Sequence, residues 1–222
     1  NMLLFERLLT EIREESPDLM LITGDLSSSA LAYTTDWEFI KKKVLEYCDF
    51  PVFAVPGNHD TQRSGKTSGI ELWKEVFGPC YYSFQWGSWH FMGLNTADSD
   101  YGFVSGVVSE EQMKWIAEEL TRIGSGKILL FAHHNFYDDR WIFFEETALR
   151  REMLELFSTS SVALALFGHR HSDAIDYSLN TLAVTTKRAV ETDGTLAYRR
   201  IVVKEGQIVE LVEVEPKSSV IF

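Results

Sequence analysis

Apolar side chains at Leu4, Phe5, Leu8, Leu9 and Ile12 recur at helical spacing, which predicts an opening helix from Leu3 to Glu15, stopped by Pro17. Leu19–Thr23 then reads as a short buried strand. A second amphipathic helix is expected from about Asp36, as its N-cap, to Tyr47, followed by a strand at Val52–Val55. A short helix fits Ile70–Phe77, ended by Gly78-Pro79. Tyr81–Trp86 and Trp89–Leu94 predict two aromatic-rich strands around the turn signal Gly87-Ser88. Ser109-Glu110-Glu111-Gln112 has the capping-box pattern and opens a helix to about Arg122. Lys127–Ala132 is the next strand, a helix lies near Glu145–Phe157, and Val162–Phe167 closes the helix-linked series. From Asp173 onward short alternating runs, with turns at Asp193-Gly194 and Glu205-Gly206, predict an antiparallel meander.

The strand runs share an ending. Leu-Met-Leu-Ile-Thr leads into Gly24-Asp25, Val-Phe-Ala-Val-Pro into Gly57-Asn58-His59-Asp60, Ile-Leu-Leu-Phe-Ala into His133-His134, and Ala-Leu-Ala-Leu-Phe into Gly168-His169-Arg170-His171. In an open α/β sheet, ligands bind in the crevice beyond the carboxyl ends of the strands. Parallel, adjacent strands would therefore gather five of the six histidines with Asp25 and Asn58 in one crevice. No linker or repeat interrupts the pattern, so residues 1–222 are read as one domain of two sheets packed face to face and flanked by helices.

Composition narrows the classes. The 222 residues suffice for one domain with a large core, and the 45% hydrophobic and 24% charged fractions are those of a soluble globular chain. The net charge of -12 disfavours nucleic acid and anionic membrane as partners, yet permits an anionic substrate where bound cations dominate the local field. Cys48 and Cys80 lack ligand or framework spacing and are expected as reduced thiols. No apolar run approaches the roughly 20 residues of a membrane span and no signal segment opens the chain, so a cytoplasmic location is expected.

Asp, Asn and His without thiolate suit Mn, Fe, Zn or Co rather than copper(I) or an iron–sulfur cluster. His169 and His171, one residue apart on a turn, could serve two ions, and a carboxylate such as Asp25 could bridge them. Gly24-Asp25, Gly57-Asn58-His59-Asp60, His133 and Gly168-His169-Arg170-His171, in this order and each after a strand, resemble the calcineurin-like metallophosphoesterases. The resemblance implies a four-layer α/β/β/α sandwich of two mixed sheets flanked by helices, and a dinuclear centre of Mn, Fe or Zn. It implies that Asp25 bridges the metals, that Asn58, His133 and His169 complete one site, and that His171 belongs to the other. His59 would face the leaving group as a general acid or charge stabiliser, with Asp60 orienting it. A metal-bridging hydroxide would attack phosphorus in line.

The family's first block, Asp-x-His on a strand before the first helix, has no counterpart among these residues. It is expected immediately upstream of Asn1; as it stands the chain should hold one metal well and a second poorly. The size resembles the stand-alone bacterial phosphodiesterases, making a phosphodiester or small phosphomonoester the expected substrate. The alternative is a catalytically reduced scaffold or interaction module. A metal-dependent amidohydrolase or peptidase would show spacings such as His-Glu-x-x-His, and none occurs. His134 is a candidate substrate-binding residue. Asn135-Phe136-Tyr137 with Asp138-Asp139-Arg140-Trp141 reads equally as substrate rim or packing. Asn95, Thr96, Asp98 and Asp100 suggest a structural or substrate loop, Arg63 and Lys66 a solvated loop, and His90 a structural role inside its strand.

Overall fold

The structure is a computed structural model in which residues 2–26, 34–62, 68–98, 104–138, 144, 147–190 and 193–216 are described. Helix α1 (Met2–Glu14) leads to strand β1 (Met20–Ile22), helix α2 (Thr34–Tyr47) and strand β2 (Val52–Ala54). The one-turn helix α3 (Asn58–Thr61), helix α4 (Gly69–Phe77) and the hairpin β3 (Tyr82–Trp86) and β4 (Trp89–Gly93) follow. Then come α5 (Glu110–Ile123), β5 (Lys127–Phe131), α6 (Ala148–Ser158) and β6 (Val162–Phe167). Two hairpins close the chain: β7 (Ala174–Ser178) with β8 (Thr181–Thr185), and β9 (Tyr198–Lys204) with β10 (Gln207–Val214).

Six strands make the main sheet in the order β3-β4-β5-β6-β8-β7. Its centre, β4, β5, β6 and β8, is parallel, and the outer strands β3 and β7 are antiparallel to their neighbours. A strand buried on both faces reads as a continuous apolar run, and Lys-Ile-Leu-Leu-Phe and Val-Ala-Leu-Ala-Leu-Phe do so. The pleat sends Ile128, Leu130, Ala165 and Phe167 to one side, against Met113 and Ile116 of α5 and Met153 and Phe157 of α6. Leu129, Phe131, Leu164 and Leu166 face the other way, onto Leu21, Phe53, Ile201, Ile208 and Leu211. The second β layer is thus β1–β2 together with β9–β10. Outside it, Trp37 of α2 and Trp73 of α4 form a T-shaped pair over Leu26 and Ala54. The four expected layers are present.

Several local expectations change. The second layer consists of two separate ladders, parallel β1–β2 and antiparallel β9–β10, rather than one mixed sheet. The C-terminal run is not a simple meander, because β8 pairs parallel with β6 and so points its carboxyl end at the same crevice. Helix α2 starts at Thr34, which places Asp36 inside the helix rather than at its cap. Ser109 does cap α5, its Oγ accepting from Gln112 N at 3.3 Å. Gln112 instead turns its side chain to the loop after β4: its Oε1 accepts from Asn95 N at 2.8 Å, and its Nε2 donates to Asn95 O at 2.7 Å. Phe136 is fully buried in the core, and Tyr137 OH donates to Thr181 Oγ1, so this part of the aromatic loop is packing rather than rim. Asp139, Arg140, Trp141, Arg63, Lys66 and Asp100 lie outside the described residues. Both cysteines are free thiols, and no helix of the described residues is long and apolar enough to cross a membrane.

Candidate metal centre

Each candidate ligand stands on a loop that leaves the carboxyl end of a strand. Asp25 follows β1, Asn58 and His59 open α3 after β2, His133 and His134 follow β5, and His169 and His171 follow β6. Glycines let these loops touch. A Cβ on Gly24 would stand 2.5 Å from Gly57 N and 2.9 Å from His133 Nδ1, and Gly24 also has φ +92°. A Cβ on Gly57 would overlap Asp25 Oδ1. Asp60, fully buried, stitches the same loops: its Oδ2 accepts from Gly57 N at 2.9 Å and Leu26 N at 3.2 Å. His59 N donates to Asp25 Oδ1 at 3.0 Å, and Gly168 N donates to the His133 carbonyl at 3.0 Å.

The cluster is densest around one nitrogen. His133 Nδ1 lies 2.8 Å from the Thr23 carbonyl oxygen, which can only accept, so Nδ1 carries the proton. A neutral His133 therefore turns the lone pair of Nε2 into the crevice. There Asn58 Oδ1 lies at 3.1 Å, His169 Nδ1 at 3.1 Å and Asp25 Oδ2 at 3.3 Å. One proton, on His169 Nδ1, could serve one of these acceptors. The others face lone pair to lone pair unless a cation joins them, an arrangement costly to bury without one. A carboxylate, an amide oxygen and two imidazoles fit an intermediate divalent ion such as Mn, Fe, Zn or Co.

The protonation states of Asp25, His134 and His169 agree with that chemistry, whereas without a cation the neighbouring Asp25 favours the charged form of His133. Burial pushes the Asp25 carboxyl up, but the His133 imidazole, the His59 N–H and the His59 side chain together hold it down at about 2. Burial and then the nearby His133 lower His169 to about 4. His134 is pushed well below the usual imidazole range by burial and by His133 and His169. Burial works against charge on His133, but Asp25 and the Thr23 carbonyl raise it overall. At neutral pH Asp25 is thus an anion, and His134 and His169 are neutral imidazoles, as metal ligands must be.

Backbone strain marks the same residues. Asp25, His169 and His171 have φ of 55°, 63° and 52°, the left-handed region that side chains other than glycine rarely occupy. Each costs on the order of 1–3 kcal/mol and persists where surrounding contacts over-determine it.

The remaining candidates fall at the margin of this cluster. His134 is fully buried, its ring centroid 4.7 Å from that of His133 and 4.4 Å from that of His169. Its backbone N–H donates to Thr96 Oγ1 at 2.9 Å, and its Nδ1 lies 3.1 Å from the same oxygen. With one ligand nitrogen each, His133, His134 and His169 all lie within 4.8 Å of one another. His171 is exposed, with Arg188 Nη2 2.9 Å from its Nδ1. His90 sits mid-strand in β4, opposite Gln85 and away from the crevice end. Asp98 is structural, accepting from Asn95 Nδ2 and Ser109 N. Sequence reasoning missed the Thr23 carbonyl, which leaves no trace in residue type. It also missed Arg188, because β8 was not read as a parallel strand ending at the crevice.

The family model of the calcineurin-like phosphoesterases matches residues 3–173 of this chain. A Fibrobacter succinogenes protein named a probable cyclic nucleotide phosphodiesterase is 27% identical over 192 residues, covering 79% of this chain and 66% of the relative. A 3',5'-cyclic-nucleotide phosphodiesterase of Nostoc sp. is 29% identical over 170 residues, covering 74% and 59%. The chain therefore spans just under two thirds of the length of these relatives. Among solved structures, a dimetal phosphatase from Danio rerio superposes with a TM-score of 0.67 at 15% identity, covering 96% of this chain and 88% of that one. The fold is shared with that phosphatase, and the chain belongs to the calcineurin-like phosphoesterase family.

Proposed function

We propose that this chain is a metal-dependent phosphoesterase acting on a phosphodiester or a small phosphomonoester. The observation that carries the reading is the convergence of Asp25 Oδ2, Asn58 Oδ1 and His169 Nδ1 on the lone pair of His133 Nε2. Family membership and the phosphodiesterase names of the relatives support the substrate class. Asn58, His133 and His169 would hold one divalent ion together with Asp25, and Asp25 and His171 would serve a second. Bound divalent ions would supply Lewis-acid charge on the phosphoryl oxygens and lower the pKa of water to near neutrality.

The protein's own groups do the rest. His59 lies beside Asn58 on α3, close enough to bear electrostatically on Asp25 and His169, and it faces the leaving oxygen as acid or charge stabiliser. Asp60 acts by pinning the loop that carries His59. His134, neutral at working pH, lines the substrate side of the cluster. His59→Ala is expected to keep its metals and lose about 10²–10⁴ in kcat; an unchanged kcat would remove His59 from the reaction.

The deciding experiment is reconstitution with Mn, Fe, Zn or Co, followed by metal analysis and hydrolysis of bis-p-nitrophenyl phosphate. Turnover that appears with added metal and disappears with chelator is the expected result. At most one equivalent of bound metal and no turnover under any ion would favour a scaffold or interaction module instead.

A further inference from the structure

Arg188 is a cation in an unusual position. It follows β8, whose last residue Thr185 pairs with Phe167, and Thr186 N donates to Phe167 O at 2.9 Å. The segment of Arg188 thus runs beside Gly168-His169-Arg170-His171 at the crevice end of the sheet. Its neighbour Lys187 is already neutralised by Glu213 and Glu215. Arg199 and Arg200 on β9 likewise pair with acidic side chains. Among the described residues the hydrogen bonds of Arg188 go to His171: Nη2 lies 2.9 Å from Nδ1 and 3.4 Å from Nε2. In a chain of net charge -12, this guanidinium at the edge of the cluster meets an imidazole rather than a carboxylate.

That pairing cannot coexist with metal ligation by His171. A neutral imidazole has one lone pair, and a guanidinium can only donate. If His171 gives the lone pair to a cation, its other ring nitrogen carries the proton, and neither nitrogen can accept from Arg188. The guanidinium is then left with five donors and no acceptor on His171. The group best matched to that fork is a phosphoryl or carboxylate anion, bound through two parallel hydrogen bonds.

We propose that Arg188 is a substrate-binding residue that clamps the non-bridging oxygens of the phosphoester, exchanging His171 for the substrate when the site is engaged. This rests on the phosphoesterase reading above. It would make Arg188 the protein's own contribution to neutralising a dianionic product or a monoanionic diester, in a chain whose overall field repels both.

The test uses inorganic phosphate as the probe, titrated calorimetrically into metal-reconstituted protein, with metal content measured on the same samples. Arg188→Ala should weaken phosphate binding by about 10–100-fold, the loss expected for a charge-assisted pair, at unchanged metal content. Arg188→Lys should restore only part of it, because a point charge replaces a fork. Unchanged phosphate affinity in Arg188→Ala would overturn the proposal. So would a fall in metal content, which would make Arg188 a residue that positions His171. Loaded wild-type protein that binds no phosphate also overturns it, while turnover of bis-p-nitrophenyl phosphate in that preparation would leave the hydrolase reading standing. Conversely, Arg188-dependent phosphate binding without any turnover would keep the anion site and discard the hydrolase.

Discussion

Asp25→Asn is expected to strip the chain of bound metal and abolish metal-dependent turnover while leaving the fold in place. The substitution keeps the shape of the side chain, and an amide oxygen can still accept from His59 N, which now donates to Asp25 Oδ1 at 3.0 Å. What disappears is the charge. Asp25 is the only anion among the three groups converging on His133 Nε2, and it stays ionised, with a pKa of about 2, despite burial. Without it a divalent ion would meet only neutral donors in a half-desolvated crevice. Partners one shell further out cost about 10–100-fold in metal affinity when removed, so a charged ligand should cost more than about 100-fold. Circular dichroism should match the wild type, while metal analysis after dialysis should show loss from both positions. Retention of full metal content and activity would refute the bridging role.

Gly24→Ala should be a severely damaging change although it adds only one methyl group. Two independent costs meet there. The residue sits at φ +92°, where a side chain is strained by roughly 1–3 kcal/mol. The new Cβ would also stand 2.5 Å and 2.7 Å from the N and Cα of Gly57, backbone atoms that cannot swing away. Overpacking of this kind costs about 1–3 kcal/mol. Together they predict a loss near 4 kcal/mol, or roughly 8–16 °C in Tm for a chain of this size, with metal affinity falling as the β1 and β2 loops separate. Gly78 is the control. Its φ of +93° is nearly identical, but a Cβ there meets nothing within 4 Å. Gly78→Ala should therefore show the strain cost alone and leave metal binding untouched. Equal losses at both positions would mean that the contact with Gly57 does not hold the site together.

The fold was legible wherever periodicity was strong. The α5, β5 and β6 segments appear within a few residues of where their apolar patterns place them, because burial on both faces of a central parallel strand imposes an uninterrupted apolar run. Reading failed where side chains answer to distant partners. Gln112 fits a capping box but serves Asn95, seventeen residues away, and Phe136 looks like loop surface yet fills the core beside Phe157 and Phe167. The run after Asp173 alternates as any hairpin does, and alternation says nothing about which strand lies alongside. Only pairing with β6 shows that β8 carries Arg188 to the crevice.

Residue type, order along the chain and position after each strand were enough to nominate Asp25, Asn58, His133 and His169 as ligands, since ligand chemistry depends on which donor atoms a side chain owns. Which lone pair each imidazole presents was not in the order of residues. The Thr23 carbonyl settles it for His133, the Arg188 guanidinium meets His171 at the edge, and Thr96 holds His134 beside the cluster. A tautomer is chosen by the hydrogen bond on the opposite side of the ring, and that partner comes from another strand brought near only by packing.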